Sequence, residues 1–162
     1  MKKSRVLRLG RDVLVALAIY GGLNYWQTKD LLPKDSGVVA PSFRLKTLSG
    51  DVAKLGEGPS VVYFFAPWCQ VCDFTSENVN GLKESVGEGL EVLAVALSYG
   101  SSQEVSAFAK KHNLKIPVLL GNDEVGKAFK IQGFPTFYFI DKNGYVRNHT
   151  VGYTSEWGLK LR

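Results

Sequence analysis

The stretch VVYFFAPWCQVC, residues 61–72, decides the fold because it joins a strand to a helix through a pair of cysteines. Residues 61–65 are a continuous run of apolar strand formers, which predicts a central strand covered on both faces. Cys69 and Cys72 follow with C-x-x-C spacing and are the only cysteines among 162 residues. In the first turn of a helix, the helix dipole and unpaired backbone N–H groups favour a thiolate. The stretch therefore predicts a redox-active cysteine pair.

The composition permits a well-packed domain and excludes two classes of protein. With 45% apolar and 12% aromatic residues, the chain can bury a core without disulfide bonds. Two cysteines are too few for a secreted disulfide framework. Residues 1–35 contain seven Lys or Arg against three Asp, so most of the net charge of +5 lies there. The remainder offers no clustered basic patch, and we expect no nucleic acid as a partner.

The N-terminal segment resembles a membrane signal. Five cations between residues 2 and 11 precede sixteen uncharged residues, 13–28. As a helix, this stretch would span roughly 24 Å, against a hydrocarbon core of ~30 Å. Tyr25 and Trp26 suit an interfacial aromatic belt, and the cationic flank predicts a cytoplasmic N-terminus. The pattern favours an uncleaved signal anchor, with a cleaved signal peptide and an ordinary core helix as alternatives.

The chain accordingly divides into three predicted parts. Residues 1–28 form a cytoplasmic basic flank and a signal anchor. Residues 29–37 form a linker, because Pro33 and Gly37 are typical of loops. Residues 38–162 form the folded domain. A signal anchor or a signal peptide would send this domain across a membrane.

Apolar and polar residues in the domain predict alternating strands and helices. Residues 42–48 and 52–55 predict an N-terminal hairpin. The helix after the cysteines is predicted to place Phe74, Val79 and Leu82 on one side. Later strands are predicted at 90–97, 116–120, 136–140 and 145–151, with helices beginning near Ser101 and Asn122 and a last helix near residues 154–162.

This order of elements predicts an α/β fold. A strand–helix–strand–helix–strand sequence implies parallel pairing through right-handed crossovers. The turn at residues 141–144 is a strong hairpin signal that adds an antiparallel edge. We therefore expect a mixed central sheet flanked by helices, with an N-terminal hairpin and an inserted helix and strand at residues 101–120.

Four features together resemble a known family. They are a strand followed by Ala66-Pro67-Trp68-Cys69-x-x-Cys72, the insertion at 101–120, Gly133-Phe134-Pro135-Thr136, and the segment 139–144 followed by a strand. On these residues the chain resembles thioredoxin-fold proteins, and in particular the membrane-anchored TlpA-like branch of periplasmic thiol–disulfide oxidoreductases with a redoxin domain. The resemblance covers roughly residues 38–152.

The resemblance implies roles for individual residues. Cys69 would be the attacking thiolate, and Cys72 the thiol that resolves the mixed disulfide. Phe134-Pro135 would be a cis peptide packed against the cysteine pair. The implied substrate-binding residues are Trp68, Phe134, Pro135 and Thr136.

The sequence departs from the family at two positions that handle protons. Many thioredoxins carry a buried carboxylate six residues before the first cysteine, where this chain has Tyr63. Some reductive TlpA-like proteins carry a glutamate six residues after it, where this chain has Thr75. The resemblance therefore identifies no proton carrier for Cys72, and we do not assign that role to Asp73 or Glu77.

The expected activity is disulfide reduction in the periplasm by a single-pass protein of the bacterial inner membrane. The dipeptide Gln70-Val71 lacks the histidine of strongly oxidising members, and the family implies electrons from an inner-membrane thiol donor. Expected clients are cysteine-containing periplasmic proteins, such as apocytochrome c or copper-stress clients. Alternatives are a thiol oxidase, a non-catalytic copper-handling protein that uses the same cysteines, and a redox-inactive assembly factor.

No cofactor and no resident metal are predicted. Two cysteines supply at most half of a tetrahedral zinc site. His112 and His149 would have to complete it, and both are expected to lie far from the cysteine pair.

Overall fold

The computed structural model describes residues 2–34, 37–86 and 89–160. The chain forms two compact units, the first ending at Asp30 and the second beginning at Leu31. The described elements are α1 Lys2–Thr28, β1 Phe43–Lys46, β2 Val52–Leu55, β3 Ser60–Phe65, α2 Gln70–Ser85, β4 Glu91–Ala96, α3 Ser102–Lys111, β5 Val118–Leu120, α4 Asp123–Ala128, β6 Thr136–Ile140, β7 Val146–Val151 and α5 Glu156–Lys160.

The first unit is built on the single helix α1. Side chains from Gly10 to Leu23 are exposed, including the apolar ones. Among the residues that the structure describes, no helix has an apolar stretch long enough to cross a bilayer. The expected membrane-spanning anchor is therefore not supported. The uncharged stretch is sixteen residues long and includes Tyr20, Gly21 and Gly22, which lower its mean hydropathy.

The second unit is organised around a five-stranded mixed sheet in the order β5-β4-β3-β6-β7. Strand β3 pairs in parallel with β4, which pairs in parallel with β5. Strand β6 runs antiparallel to β3 and places Thr136 opposite Phe64, and β7 forms the antiparallel edge. Strands β1 and β2 form a separate antiparallel hairpin. The predicted α/β fold class is confirmed.

Strand β3 lies at the centre because both of its faces are covered. All six of its residues are buried. Val61, Tyr63 and Phe65 face a cluster that includes side chains of α2, α3 and α5. Val62 and Phe64 face a second cluster that includes side chains of α4. Full burial of an apolar side chain of this size contributes about 1.5–3 kcal/mol, so β3 anchors both halves of the core.

Part of the segment that the sequence assigns to a linker is packed into the domain. The side chains of Leu31 and Leu32 are buried in the second cluster. The backbone N–H of Leu32 donates a hydrogen bond to the hydroxyl of Tyr138 at 3.2 Å. These apolar contacts explain why the compact unit begins at Leu31, before residue 38.

The start of the domain reaches both edges of the large sheet. Residues 38–40 pair with residues 144–146, beside the beginning of β7. At the opposite edge, the N–H of Leu48 donates to the carbonyl of Val118 at 2.9 Å. The outer strands β5 and β7 therefore both have backbone partners outside the sheet.

Candidate active site

Cys69 and Cys72 form a disulfide at the junction of β3 and α2, with their Cα atoms 5.2 Å apart. Cys69 is the N-cap of α2, and its sulfur accepts a hydrogen bond from the backbone N–H of Cys72 at 3.2 Å. Cys69 is 7% exposed, whereas Cys72 is 0% exposed. A sulfur that accepts an N–H at a helix start is stabilised as a thiolate. The geometry therefore suits Cys69 for attack and Cys72 for the buried resolving position.

A buried floor, made by three residues of the sheet and one of α2, supports the cysteine pair. We define the floor as Tyr63, Phe65, Ser76 and Phe137, all of which are fully buried. The Tyr63 ring stacks on Phe65 and Phe137 with centroid distances of 5.4 and 5.0 Å. The hydroxyls of Tyr63 and Ser76 both donate to the backbone carbonyl of Cys72, at 3.2 and 2.8 Å. The floor therefore fixes the backbone of the second cysteine.

Tyr63 and Thr75 do not replace the carboxylates that the family carries at their positions. Burial raises the pKa of Tyr63 far above its usual range, so its hydroxyl stays protonated and acts as a hydrogen-bond donor. The hydroxyl of Thr75 donates to the carbonyl of Val71 at 2.7 Å within α2. Both side chains hold backbone carbonyls near the cysteines, and neither is poised to exchange a proton at neutral pH.

A charged cluster lies beside the first turn of α2. The Nε2 of His112 is 2.7 Å from one carboxylate oxygen of Asp73, and the Nζ of Lys111 is 3.0 Å from the other. Burial acts to raise the pKa of Asp73, but hydrogen bonds from Lys111 and His112 outweigh it and leave the pKa below its ordinary value. The residue that follows Cys72 is therefore an anion held by two partners.

His112 lies closer to the cysteine pair than expected, because its ring contacts Asp73, the residue after Cys72. Helix α3 ends beside α2, where the Nδ2 of Asn80 donates to the carbonyl of His112 at 3.2 Å. His149 lies in β7, where its ring is 5.9 Å from that of Tyr138. Within the described part of the chain, no three His, Cys, Asp or Glu side chains are grouped closely enough to hold a metal ion.

The implied substrate-binding residues lie at the same end of the sheet as the cysteines. The Phe134–Pro135 peptide is cis, and it directly precedes β6, which pairs with β3. The rings of Trp68 and Phe134 pack edge to face at 5.9 Å. Pro135 and Thr136 are buried, and the Thr136 hydroxyl donates to the carbonyl of Gly133 at 2.8 Å. Trp68 and Phe134 are thus the members of the set that reach the surface.

The prediction that Phe74 shares one side of α2 with Val79 and Leu82 is wrong, because Phe74 is 73% exposed whereas Val79 and Leu82 are buried. The buried face of α2 contains Cys72, Thr75, Ser76, Val79 and Leu82. With about 100° of rotation per residue, Phe74 points roughly opposite to Cys72. The spacing of Cys72, Ser76 and Val79 was the signal that would have identified this face. An exposed aromatic side chain therefore stands two residues after the redox pair.

The chain is similar in sequence to known protein families and individual proteins. A model of the AhpC/TSA family matches residues 36–149. The chain belongs to this family. Curated relatives resemble the present chain over most of its length. One is the thioredoxin-like protein YneN of Bacillus subtilis, which is 31% identical over 86% of this chain and 86% of its own.

Two further relatives have names that state an activity. The thiol-disulfide oxidoreductase ResA of Geobacillus kaustophilus is 30% identical over 93% of this chain and 90% of its own. The crystal structure of a Chlorobium tepidum protein described as a thiol:disulfide interchange protein DsbE superposes with a TM-score of 0.70 at 25% identity. That match covers 80% of this chain and 94% of the other.

The same activity is indicated by the fold, by the cysteine pair and by these relatives. The protein is a thioredoxin-fold thiol–disulfide oxidoreductase with Cys69 and Cys72 as its redox pair. The predicted fold class and the predicted enzyme class are both confirmed. The substrates of such an enzyme carry thiols or disulfides.

Proposed function

We propose that the protein is a disulfide reductase that acts on cysteine-containing proteins in the periplasm. The observation that carries the proposal is the redox pair at the N-cap of α2, with Cys69 as the more exposed sulfur. The intervening Gln70 and Val71 bring no cation, and the next residue, Asp73, is an anion. A thiolate that is little stabilised by positive charge gives a more reducing pair.

The proposed reaction proceeds through a mixed disulfide. The Cys69 thiolate attacks one sulfur of a client disulfide and expels the other as a thiolate. Cys72 then attacks the Cys69 sulfur, releases the second client sulfur and closes the Cys69–Cys72 disulfide. Two electrons pass from the enzyme to the client, and the proton of Cys72 goes to a client thiolate. Trp68 and Phe134 form the exposed part of the surface that binds the client chain, and the buried Pro135 and Thr136 hold the loop that presents Phe134.

The proposed location is the periplasmic side of a bacterial inner membrane. Five cations precede the exposed apolar side chains of α1, so this helix holds the protein at the membrane. A thiol donor in the same membrane returns the pair to its reduced state. Oxidised cysteine-containing proteins of the periplasm are the clients, with apocytochrome c among the candidates. Two experiments test this arrangement. The protein should stay with the membrane fraction after a high-salt wash, and protease added to intact spheroplasts should digest its domain.

Redox titration against glutathione tests the direction of the reaction. A reduction potential well below about −200 mV supports a reductase, and one near about −120 mV supports an oxidase. Cys72→Ser should accumulate mixed disulfides with clients through Cys69, while Cys69→Ser should capture none. Equal capture by the two variants would contradict the assigned roles. Stoichiometric Cu(I) binding without turnover of any disulfide would overturn the proposed function.

A further inference from the structure

The indole of Trp68 is exposed and yet held in place. Its side chain is 65% exposed, beside the first cysteine. Its Nε1–H donates a hydrogen bond to the backbone carbonyl of Ser98 at 2.8 Å, across thirty residues of sequence. An exposed aromatic side chain ordinarily keeps rotamer freedom, and fixing it has an entropic cost. The hydrogen bond therefore restricts an indole that would otherwise be mobile at the surface.

Ser98 has an unusual backbone conformation, with a φ of +52°. Among the described residues, Asn113 and Lys130 are the other non-glycine positions in this left-handed region. Both come directly after a helix end, at α3 and α4, where a left-handed residue commonly terminates a helix. Ser98 instead follows strand β4, so helix termination does not explain its conformation. Such strained residues persist where their surroundings fix them, frequently at functional sites.

The backbone on either side of Ser98 is anchored. The N–H of Leu97 donates to the carbonyl of Phe65, the last residue of β3, at 2.9 Å. The hydroxyl of Tyr99 donates to the carbonyl of Gly121 at 2.9 Å. These two hydrogen bonds tie the segment to neighbouring strands. The Ser98 carbonyl is therefore presented from a fixed position.

The fixed indole contributes to two surfaces at the active site. It packs edge to face against Phe134, the residue before the cis proline. It also borders a cavity of about 360 Å³ that is lined by Pro67, Trp68, Glu104, Ala107, Phe108 and Lys111. A rotated indole would alter the walls of both surfaces at once.

We propose that Ser98 is a positioning residue for the exchange reaction on protein substrates. Its left-handed backbone directs a carbonyl that holds the Trp68 indole as a rigid wall of both the surface at Phe134 and the cavity. A polypeptide client then meets a preformed surface and loses less free energy in ordering it. This inference rests on the proposed function, in which Trp68 contacts the client.

The first test alters the backbone of Ser98. Proline fixes φ near −65° and would redirect the carbonyl, whereas glycine keeps the positive φ accessible. Ser98→Pro should lower kcat/KM for a protein disulfide about three- to tenfold, the change in rate that loss of one hydrogen bond gives. Turnover of the small disulfide 5,5′-dithiobis(2-nitrobenzoate) should stay within twofold. Ser98→Gly should behave as the wild type on both substrates.

A double-mutant cycle distinguishes positioning from a general structural effect. Trp68→Phe removes the indole N–H, so Ser98→Pro should have no further effect in that background. Additive losses, or equal losses with Ser98→Gly, would overturn the inference. An equal loss on the small disulfide would overturn it too. If Ser98→Pro does not fold, Ser98→Val provides the same backbone conflict, because a β-branched residue disfavours a positive φ.

A physical readout keeps this test separate from the proposed function. In a Trp26→Phe/Trp157→Phe background, Trp68 is the remaining tryptophan. Time-resolved fluorescence anisotropy should show slow rotation of the indole when Ser98 is retained in this background. Rotation should be faster when Ser98→Pro is added. Unchanged rotation overturns the inference whatever the activity. A wild type that reduces no protein disulfide contradicts the proposed function, while anisotropy still decides the role of Ser98.

Discussion

The floor and the rim of the active site differ most in burial. We define the rim as Trp68 and Phe134, whose rings pack together beside the cysteines, and Phe74, which is exposed two residues after Cys72. The floor is fully buried, stacked on the sheet and hydrogen-bonded to the carbonyl of Cys72. The rim contains Trp68 and Phe74, which are 65% and 73% exposed. Aromatic residues thus serve two different purposes within one site.

The difference shows how one site separates chemistry from recognition. The floor holds the backbone carbonyl of Cys72 through hydrogen bonds that involve no substrate. The rim supplies apolar area that only a bound polypeptide would cover. Substitutions in the floor should therefore change stability most, and substitutions in the rim should change kcat/KM for protein substrates most.

The largest effect on stability is expected from a substitution in the floor. Tyr63→Ala removes a fully buried ring that stacks on two others, and it should lower the free energy of unfolding by about 3–5 kcal/mol. Urea denaturation followed by circular dichroism measures this loss. Tyr63→Phe is the matched control. It keeps the ring, and Ser76 still donates to the Cys72 carbonyl, so it should lose only about 1 kcal/mol.

A contrary result for Tyr63→Phe would be informative. If it retains stability but loses exchange activity as severely as a cysteine variant, the hydroxyl has a chemical role beyond fixing a carbonyl. The separation of floor and rim would then be wrong at this residue.

A smaller effect is expected from the rim. Phe74→Ser should reduce kcat/KM for protein disulfides roughly five- to thirtyfold, the range for losing a contact residue that contributes about 1–2 kcal/mol. Its free energy of unfolding should change by less than about 0.5 kcal/mol, because the side chain is exposed. Steady-state kinetics on a protein disulfide and on a small disulfide measure the difference.

Trp157→Ser is the control for Phe74→Ser. Trp157 is 74% exposed on α5, so the two variants remove similar apolar area at different places. Trp157→Ser should leave kcat/KM unchanged. Equal losses in the two variants would show that exposed aromatic area in general, rather than the rim, determines activity.

The smallest effect on stability is expected at Asp73, which follows Cys72 and belongs to neither floor nor rim. The folded-state pKa of Asp73 is lowered, so its charged form stabilises the fold above the ordinary aspartate pKa of about 3.9. This contribution is lost as the pH falls through the lowered folded value. Asp73→Asn should therefore lose about 0.2–1 kcal/mol at pH 7, and the difference from wild type should disappear in acid. Denaturation between pH 2 and pH 7 measures it.

Asp141→Asn provides the comparison for Asp73→Asn. The N–H of Tyr145 and the side chain of Arg147 hold the pKa of Asp141 low as well, in the turn before β7. Both variants should show a pH-dependent loss of stability. Only Asp73→Asn should shift the reduction potential of the cysteine pair, and a shift with Asp141→Asn would exclude a local electrostatic cause.

Local signals in the sequence predicted most of the fold. The apolar run of β3 and the C-x-x-C spacing were sufficient to place the redox pair at a strand–helix junction. Ser101 and Asn122 cap α3 and α4 as predicted, because a cap depends on residues three positions away. The resemblance supplied the cis Phe134–Pro135 peptide.

Features that depend on tertiary contacts were not predictable in the same way. His112 reaches Asp73 only because α3 ends beside α2, and no local pattern encodes that approach. Phe74 was misplaced because its apolar character suggested the core, while the helical phase set by Cys72 points it outward. Leu31 and Leu32 were assigned to a linker because the neighbouring residues are typical of loops, whereas the structure buries both side chains in the second core cluster.

The pairing of residues 38–40 with residues 144–146 has a consequence for the order of folding. These segments are separated by about a hundred residues, so the contact closes a loop that contains nearly the whole domain. Closing so long a loop is slow until intermediate contacts shorten the effective separation. The β3–β4 and β3–β6 pairings provide such contacts. During synthesis, residues 38–40 therefore cannot pair until residues 144–146 have been made. The β7 edge of the sheet gains this backbone partner only when the chain is nearly complete.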